Sequence, residues 1–507
     1  MIPVDAYTAA QVRARDAEVI AAGTPGYALM ERAAQAAFDV ARERWPVARR
    51  CVVVCGAGNN GGDGYVWARL AHVAGFAVRV FTVVDSVRLR GDAARACAEA
   101  QTAGLVVEDW GAEAIAALAD AELIVDAMLG TGLVEAVREP IAGAIAALNA
   151  AARPILALDV PSGLCADTGV VRGIAIRAGA TVTFIGVKAG LWLQSGPDHT
   201  GALCYADLGV GMPKAIPARV QRIDDALRRA ALRPRAREAH KGQSGRLLIV
   251  GGRPGMAGAV RLAGEAALRV GAGLVTVLTA PESVAAVAVR PELMVHASAR
   301  RDDEAQFFEL AARCDAIVVG PGMGEDEWSR RMFAAALASG RKLLLDAGAL
   351  RLLAERPRHS SRDVISPDGA SSEWILTPHP GEAAQLLGAR AAEASSSVQG
   401  DRYSALQKLL EIYGGTVVLK GAGTLVARDG ECAAICLQGN PGMAVPGMGD
   451  VLSGAIAGLW VQWSDPWLAA RVGVLVHALA GDALAPRGER GMLAGEVATE
   501  LRHWVNP

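Results

Sequence analysis

Short runs that are apolar at every position alternate with longer Ala-rich stretches, and this rhythm constrains the fold most strongly. A run without polar alternation predicts a strand buried on both faces, and the stretches between such runs fit helices. A βαβ rhythm predicts a parallel sheet that helices cover on both sides. The first half of the chain contains the runs CVVVCG, AVRVFTVV, LIVDAML, ILALDVPSG and TVTFIG, preceded by two predicted helices in TAAQVRARDAEVIAAG and GYALMERAAQAAFDVARERW.

The rhythm breaks at residues 211–245 and then starts again. This stretch is rich in Pro and Arg and lacks apolar periodicity. It therefore predicts a solvated connector and the approach to a second domain, in preference to a basic surface for an anionic partner. We predict two tandem α/β domains, residues 1–218 and 224–507, joined through residues 219–240. The second series of predicted strands is RLLIVGG, GLVTVLTA, AIVVGPGMG, KLLLDAG, WILTPHPGE and TVVLKGAGT.

Composition and charge exclude several classes of protein. The chain has 507 residues, of which 52% are hydrophobic and 21% charged, so it is not a disordered, collagen-like or coiled-coil protein. Its 51 Lys and Arg nearly balance its 53 Asp and Glu, which gives a net charge of −2. Without a basic field, we expect no nucleic-acid partner.

We also expect a cytoplasmic protein with no membrane partner and no leader peptide. The apolar run Val451–Trp463 is shorter than the ~20 residues that a membrane span requires, and the first residues carry charge without an apolar core. Cysteines four positions apart in a strand are too distant to form a bridge. We therefore expect Cys51 and Cys55, and likewise Cys432 and Cys436, to be free thiols.

The segment CGAGNNGGDG, residues 55–64, follows a predicted buried strand and opens a helix. A Gly-rich turn of this kind lets backbone N–H groups approach a phosphate at the positive end of the helix. Two Asn and one Asp lie among the glycines and add side-chain oxygens. An Asx-rich turn without a ligand is the structural alternative.

Polar side chains follow two more strands of the first half. Asp126 lies in VDAMLGTGL, and Asp159 and Ser162 lie in LALDVPSG. Ligands of open α/β sheets bind at the carboxyl ends of the strands, so these motifs are predicted to converge. Asn60, Asp126 and Ser162 offer one carboxylate and two neutral oxygens, a set that suits a monovalent cation better than a small divalent one. An Asp after a strand also fits a simple helix cap.

GNNGGDG, VDAMLGTGL and DVPSG together resemble the NAD(P)H-hydrate epimerase domain, over residues 1–218. The resemblance implies a Rossmann-like doubly wound sheet, K⁺ bound by Asn60, Asp126 and Ser162, and Asp159 as a catalytic residue at the substrate. Lys188, in FIGVKAGL, is either an acid–base or phosphate partner or an exposed loop lysine. The residues implied to hold the hydrated dinucleotide are Asn59, Asn60, Gly61, Gly62, Asp63, Gly130, Thr131, Gly132, Leu133, Val134, Glu135, Ala136 and Asp159.

In the second half, GMGD at residues 447–450 opens the predicted helix DVLSGAIAGLW. Backbone N–H groups at a helix N-terminus form an anion hole for a transferring phosphoryl group, and Asp450 is placed to accept a proton from a hydroxyl. An Asp that only caps the helix is the alternative. His379, between two prolines, is either a donor to a phosphate or amide or a satisfied loop histidine. KGAGT alone also fits a plain turn.

GMAGA, GPGMG, LTPHPGE, KGAGT and GMGD, in this order, resemble the ADP-dependent NAD(P)H-hydrate dehydratase, from about Asp224 to the C-terminus. The resemblance implies a ribokinase-like α/β/α fold and the cofactors ADP and Mg²⁺. Ala259, Gly322, His379 and Asp450 are implied to contact the hydrated dinucleotide, with Asp450 catalytic. The residues implied to contact ADP are Lys420, Gly421, Ala422, Gly423, Thr424 and Gly449.

The combined prediction is a bifunctional nicotinamide-nucleotide repair enzyme. The first domain would interconvert the R and S forms of NADHX and NADPHX, and the second would dehydrate the S form at the expense of ADP. We expect a homo-oligomer. Two alternatives remain open: a vitamin kinase of the hydroxymethylpyrimidine or hydroxyethylthiazole type in the second half, and a dinucleotide sensor without catalysis.

Overall fold

The computed structural model describes residues 2–298, 302–356, 373–388 and 398–506. The chain divides into two compact units, Met1–Gln221 and Arg222–Pro507. Both units have mostly parallel sheets with helices packed against them, so the predicted α/β class is confirmed.

The first unit alternates strands and helices as its apolar runs predict. Its strands are β1 (Asp5–Tyr7), β2 (Arg50–Cys55), β3 (Ala77–Thr82), β4 (Val107–Asp109), β5 (Leu123–Ala127), β6 (Ile155–Leu158), β7 (Ala180–Phe184), β8 (Val187–Lys188) and β9 (Ala202–Ala206), and β10 (Val220–Arg222) follows at its end. Its helices are α1 (Ala9–Ala21), α2 (Gly26–Arg44), α3 (Asn59–Val73), α4 (Gly91–Thr102), α5 (Ala112–Asp120), α6 (Ile141–Ala150) and α7 (Gly196–Thr200).

Its main sheet is parallel throughout, in the order β4-β3-β2-β5-β6-β7-β9. Successive residues of β2 face opposite sides: Val53 joins one apolar core, and Val52 and Val54 join the other. This is the burial on both faces that an unbroken apolar run predicts. After β2, the chain adds β3 and β4 on one side of this strand, and it then adds β5, β6, β7 and β9 on the other side. The switch point of the sheet therefore lies between β2 and β5.

The second unit has its own series of elements. Its strands are β11 (Arg246–Gly251), β12 (Leu274–Thr279), β13 (Met294–Ala297), β14 (Ala316–Val319), β15 (Lys342–Leu345), β16 (Trp374–Leu376), β17 (Thr416–Leu419), β18 (Thr424–Arg428) and β19 (Ala434–Cys436). Its helices are α8 (Asp225–Ala231), α9 (Ala257–Arg269), α10 (Val284–Val287), α11 (Asp303–Ala312), α12 (Glu327–Ala338), α13 (Gly348–Ala354), α14 (Pro380–Leu386), α15 (Arg402–Tyr413), α16 (Met448–Trp463), α17 (Pro466–Leu484) and α18 (Ala494–Trp504).

Strands β13-β12-β11-β14-β15-β16-β17 run parallel, with a switch point between β11 and β14. Strands β18 and β19 then run antiparallel, a departure from the predicted parallel sheet. Short turns suffice to join such strands, so no intervening helix marks them in the sequence.

Helix α16 packs closely on α9 because it has glycine at the contact. A Cβ on Gly454 would lie 2.0 Å from the Ala263 carbonyl oxygen, and one on Gly458 would lie 2.8 Å from the Ala267 Cα. Among the described residues, the helical stretch Pro466–Arg487 is long and apolar enough to cross a membrane by length and composition. Leu475 and Val476 of this stretch are buried in the core of the unit, which explains its apolar character.

The stretch predicted to be a solvated connector contains strand β10 and helix α8. Ile223 and Leu232 belong to the apolar core of the second unit, and the Ile223 amide donates to the Ile435 carbonyl. Residues 233–240 are exposed. The eight cysteines are free, as expected for Cys51, Cys55, Cys432 and Cys436.

Candidate active sites

The first unit contains a cavity of about 980 Å³ at the switch point of its sheet. The loops that follow β2 and β5 and one face of α1 line it. Gly61 and Gly62 do not line the cavity: a Cβ on Gly61 would collide with the Gly56 carbonyl, and one on Gly62 with the Met30 side chain. They allow α3 to pack closely. The other implied substrate residues do line it: Asn59, Asn60, Asp63, Gly130, Thr131, Gly132, Leu133, Val134, Glu135, Ala136 and Asp159.

Asp159 and Lys188 form an ion pair at the wall of this cavity. Asp159 has a positive φ of 64°, and its Oδ1 accepts hydrogen bonds from Lys188 Nζ and, at 3.3 Å, from Thr183 Oγ1. Lys188 Nζ also donates to the Phe184 carbonyl at 2.8 Å. Lys188 is only 1% exposed, which excludes the alternative of an exposed loop lysine. The pair brings a proton acceptor and a proton donor to one place.

Two more carboxyl groups line the cavity and have altered proton affinities. Burial, together with the nearby Asp159 and Asp16, raises the pKa of Asp63 well above its ordinary value. Burial also raises the pKa of Asp16, against the opposing effect of Lys188. Sequence reasoning missed Asp16, although the spacing Val12, Asp16, Ile20 on α1 places all three on the cavity side.

Of the implied cation ligands, Asn60 and Ser162 meet at the backbone of Leu129, and Ser162 links them to Asp126. Asn60 Nδ2 donates to the Leu129 carbonyl at 3.0 Å, and Ser162 Oγ accepts from the Leu129 amide at 2.8 Å. Ser162 Oγ and amide donate to Asp126 at 2.6 and 2.8 Å. Asp126 is fully buried, and burial raises its pKa to about 6 although the bonds from Ser162 and Met128 lower it. Asp126 lies within strand β5 and accepts from Ser162 and Met128, so it does not cap a helix.

Asn60 Oδ1 is the one atom of this group that lacks a partner. It is buried, and no hydrogen-bond donor contacts it among the residues that the structure describes. A buried carbonyl oxygen without a donor is costly unless a cation or water satisfies it. The atom, with Asp126 and Ser162 beside it, therefore has the chemistry of a K⁺ ligand set.

Asp450 lies in the first turn of α16, at the predicted anion hole. The N-cap of this helix is Gly447, with a φ of 90°, and no side chain makes a capping bond. The interpretation of Asp450 as an N-cap is therefore wrong, because the helix begins at Met448, two residues before it. Burial and the neighbouring Asp346 raise the pKa of Asp450 to about 7, while Lys420 opposes this rise. A carboxyl with this pKa can accept and release a proton near neutral pH.

Lys420 sits in a cluster of acidic groups next to Asp450. Its Nζ lies 2.7 Å from Asp346 Oδ1 and 3.8 Å from Glu382 Oε2, and Asp346 also accepts from Ser453 Oγ at 2.7 Å. Burial alone would lower the pKa of Lys420, but the two carboxylates raise it above its ordinary value. Sequence reasoning missed Asp346 and Glu382, although Asp346 follows a buried strand in KLLLDAG just as Asp126 lies in VDAMLG.

Gly449 and His379 border this cluster. A Cβ on Gly449 would lie 3.2 Å from Lys420 Nζ, so the glycine lets the ammonium group approach the helix N-terminus. His379 is the N-cap of α14: its Nδ1 accepts from the Gly381 and Glu382 amides, and its own amide donates to Glu382 Oε2 at 2.9 Å. The side chain is 57% exposed, and its Nε2 lies 3.4 Å from Glu382 Oε1.

Ala259 and Gly322, both implied substrate contacts, meet at the switch point of the second sheet. A Cβ on Gly322 would lie 3.2 Å from the Ala259 Cβ, and Gly322 has a φ of 63°. Gly421, Ala422 and Gly423 lie in the loop that joins β17 to β18, and Thr424 is the first residue of β18. Among the described residues, no group of three or more His, Cys, Asp or Glu has an arrangement that holds a metal ion.

Comparison with known proteins identifies two family models in this chain. The NAD(P)H-hydrate dehydratase model matches residues 247–503, and the YjeF-related protein N-terminus model matches residues 26–190. A crystal structure of ADP/ATP-dependent NAD(P)H-hydrate dehydratase from Bacillus subtilis, co-crystallized with ATP/Mg²⁺, is 26% identical, with a TM-score of 0.49; the match covers 58% of this chain and 98% of that chain.

Full-length relatives combine both regions in the same order. The bifunctional NAD(P)H-hydrate repair enzyme of Coxiella burnetii is 43% identical, and the match covers 99% of each chain. The enzyme of the same name from Escherichia coli is 44% identical over 95% of this chain and 90% of its own length. This chain therefore belongs to the family of bifunctional NAD(P)H-hydrate repair enzymes.

Proposed function

We propose that the first unit interconverts the R and S hydrates of NADH and NADPH, and that the second unit dehydrates the S form at the expense of ADP. The observation that carries this proposal is Asp450, a carboxyl with a pKa near 7 beside Lys420 at a helix N-terminus. A hydroxyl must lose its proton as it receives a phosphoryl group, and Asp450 can accept that proton. The negative charge that develops on the phosphoryl group needs hydrogen-bond donors, which Lys420 and the helix N-terminus supply.

In the first unit, epimerisation proceeds by ring opening or by loss and return of water. Both routes need a proton removed from one atom and supplied to another. Asp159 accepts the proton, and Lys188 stabilises the carboxylate and donates in return. The Gly-rich turn and residues 130–136 hold the phosphates and the ring against this pair.

The proposal includes a K⁺ ion in the first unit, held by Asn60, Asp126 and Ser162. The support is the buried Asn60 Oδ1, which no donor contacts among the described residues. When bound, the ion would supply fixed positive charge beside the phosphate-binding turn. Asp126 balances that charge, and the neutral oxygens of Asn60 and Ser162 complete the set.

In the second unit, Asp450 takes the proton of the substrate hydroxyl as its oxygen attacks the β-phosphorus of ADP. The bond to the bridging oxygen breaks and AMP leaves. The phosphorylated oxygen then departs as phosphate, and the adjacent carbon loses a proton to the departing phosphate, which restores the ring double bond. Lys420 and the N–H groups at the start of α16 stabilise the charge on the transferring group. Mg²⁺ bound to ADP would shield the phosphates of the nucleotide.

An assay with mixed NADHX epimers tests the function. The protein, K⁺, Mg²⁺ and ADP are combined, and regenerated NADH is followed by its absorbance. We expect complete conversion of both epimers and one AMP for each NADH. Conversion without ADP consumption would contradict the proposed dehydration. A stable phosphorylated product would favour the vitamin kinase, and binding without turnover would favour the sensor. Cytoplasmic location and homo-oligomerisation remain predictions.

A further inference from the structure

The loop KGAGT lies on a buried arginine that sequence reasoning did not single out. Arg402, the first residue of α15, is 7% exposed. Its Nη1 donates to the Ala422 carbonyl, and its Nη2 donates to the carbonyls of Leu419 and Lys420 at 3.1 and 3.2 Å. A single guanidinium group thus binds three carbonyls of one loop.

The positive charge of Arg402 has no acidic partner in the part of the chain that the structure describes. Its guanidinium contacts carbonyl oxygens only, and burial is the sole cause that lowers its pKa, to about 10. The group therefore stays charged at neutral pH. A buried charge without a counter-ion is unfavourable, so a site of this kind is completed by an anion.

The same loop presents backbone donors that are not in use. The amides of Gly421, Ala422 and Gly423 donate to no acceptor among the described residues, and Gly421 and Ala422 are exposed. Gly421 and Gly423 have positive φ values of 139° and 64°. Successive free N–H groups in a turn with left-handed residues form a concavity that binds anions.

Gly421 is also required by the arginine itself. A Cβ at this position would lie 3.0 Å from Arg402 Nη2. The loop and the guanidinium are therefore in direct van der Waals contact, and the absence of a side chain allows the three carbonyl bonds to form.

We propose that Arg402 is a positioning residue for the nucleotide of the second unit: it binds the loop carbonyls, which leaves the three loop amides for a phosphate of ADP, and its charge complements that phosphate. This inference rests on the proposed use of ADP. It extends the implied nucleotide site from residues 420–424 to a side chain that the ligand never touches.

The test is Arg402→Lys, assayed by ADP titration calorimetry and by steady-state dehydration. Lysine keeps the charge but loses the planar fork that reaches three carbonyls. We expect the Kd and KM for ADP to rise by roughly tenfold to a hundredfold, because hydrogen bonds from a charged group are lost. The KM for NADHX and the epimerase rate should stay within about twofold, because the substitution weakens the binding of ADP and not the binding of NADHX.

The matched control is Arg228→Lys in the same unit. Arg228 is also buried, at 5% exposure, and donates to Asp225 and to the Trp504 carbonyl. We expect this variant to lose thermal stability without a change in ADP affinity. An equal loss of ADP affinity in both variants would show that Arg402 acts only through stability and would overturn the proposal.

A second pair of variants tests the contact from the loop side and does not depend on the folding of Arg402→Lys. Gly421→Ala forces a Cβ against the guanidinium at a φ of 139°, whereas in the control Gly430→Ala the position also has a positive φ, of 79°, but a Cβ there meets nothing within 4 Å. We expect weaker ADP binding in Gly421→Ala only. Unchanged ADP affinity in a folded Gly421→Ala variant would overturn the proposal. Wild-type protein that binds ADP without dehydrating NADHX would instead refute the proposed function alone.

Discussion

The two sites of this chain handle charge in different ways. In the first unit, Lys188 is already paired with Asp159 inside a cavity, and burial raises the pKa values of Asp63 and Asp16 beside them. In the second unit, Lys420 is paired, but the buried Arg402 has no carboxylate partner among the described residues. An epimerase moves protons within one substrate, whereas a dehydratase that uses ADP must also bind a second, highly anionic substrate. The comparison suggests a preformed site in one unit and a site completed by its nucleotide in the other.

The largest expected effect concerns the cation set of the first unit. Asp126→Ala removes the only carboxylate of the set and should abolish measurable epimerisation, because the K⁺ charge is then unbalanced. Dehydration of the S form should be unchanged. The measurement is the conversion of purified R epimer as a function of K⁺ concentration.

Asp109→Ala is the control for that variant, since Asp109 also ends a strand of the same sheet but is exposed. It should leave both activities intact. Loss of dehydration in a folded Asp126→Ala protein would show that the two units share a site and would end the comparison.

Asp450→Asn is expected to lower dehydration turnover by about 10²–10⁴-fold, the usual contribution of a general base. The fold should survive because Gly447, and not Asp450, occupies the N-cap. Stopped-flow measurement of NADH release checks this rate. The control Glu327→Gln removes an exposed acidic group from the first turn of α12 and should change neither activity. A near-wild-type rate for Asp450→Asn would remove Asp450 from the mechanism.

The pH dependence of dehydration further tests the role of Asp450 as the general base. Asp450 acts as a base only when ionised, and its pKa is raised to about 7. The kcat/KM value should therefore fall about tenfold for each unit of pH well below 7 and level off above it. The Asp450→Asn profile should lack this inflection. An inflection that persists in the variant would assign the titration to another group.

The smallest expected effect is that of separating the units. Residues 233–240 are exposed and carry no helix or strand, so limited proteolysis should cut there first. Both activities should remain in the mixture of fragments. A first cut within residues 2–210 would contradict the predicted domain boundary.

The sequence predicted the parallel architecture well because runs such as CVVVCG are apolar at every position, which requires a strand that is buried on both faces. It failed where local pattern carries little information. Strands β18 and β19 are short and joined by turns. Helix α8 lies in an Arg-rich segment that lacks apolar periodicity, so the sequence did not predict that Ile223 and Leu232 belong to the core.

The motifs predicted which loops meet, but not the groups that come from outside them. Asp16 and Arg402 lie outside these motifs, and only the folded chain brings them to the residues that they contact or influence. Glu382 ends the motif LTPHPGE, but its approach to Lys420 also forms only in the folded chain. The pairing of Lys188 with Asp159 was similarly beyond reach, because a lysine after a strand gives no sign of burial.

The most direct test of the account is a mixing experiment with Asp126→Ala and Asp450→Asn. Alone, the first variant should convert only the S epimer, and the second should regenerate almost no NADH. Mixed in equal amounts, with K⁺, Mg²⁺ and ADP, they should convert both epimers completely, because each variant supplies the site that the other lacks. A mixture that stops at the S fraction, although each variant is folded, would contradict two independent active sites in this chain.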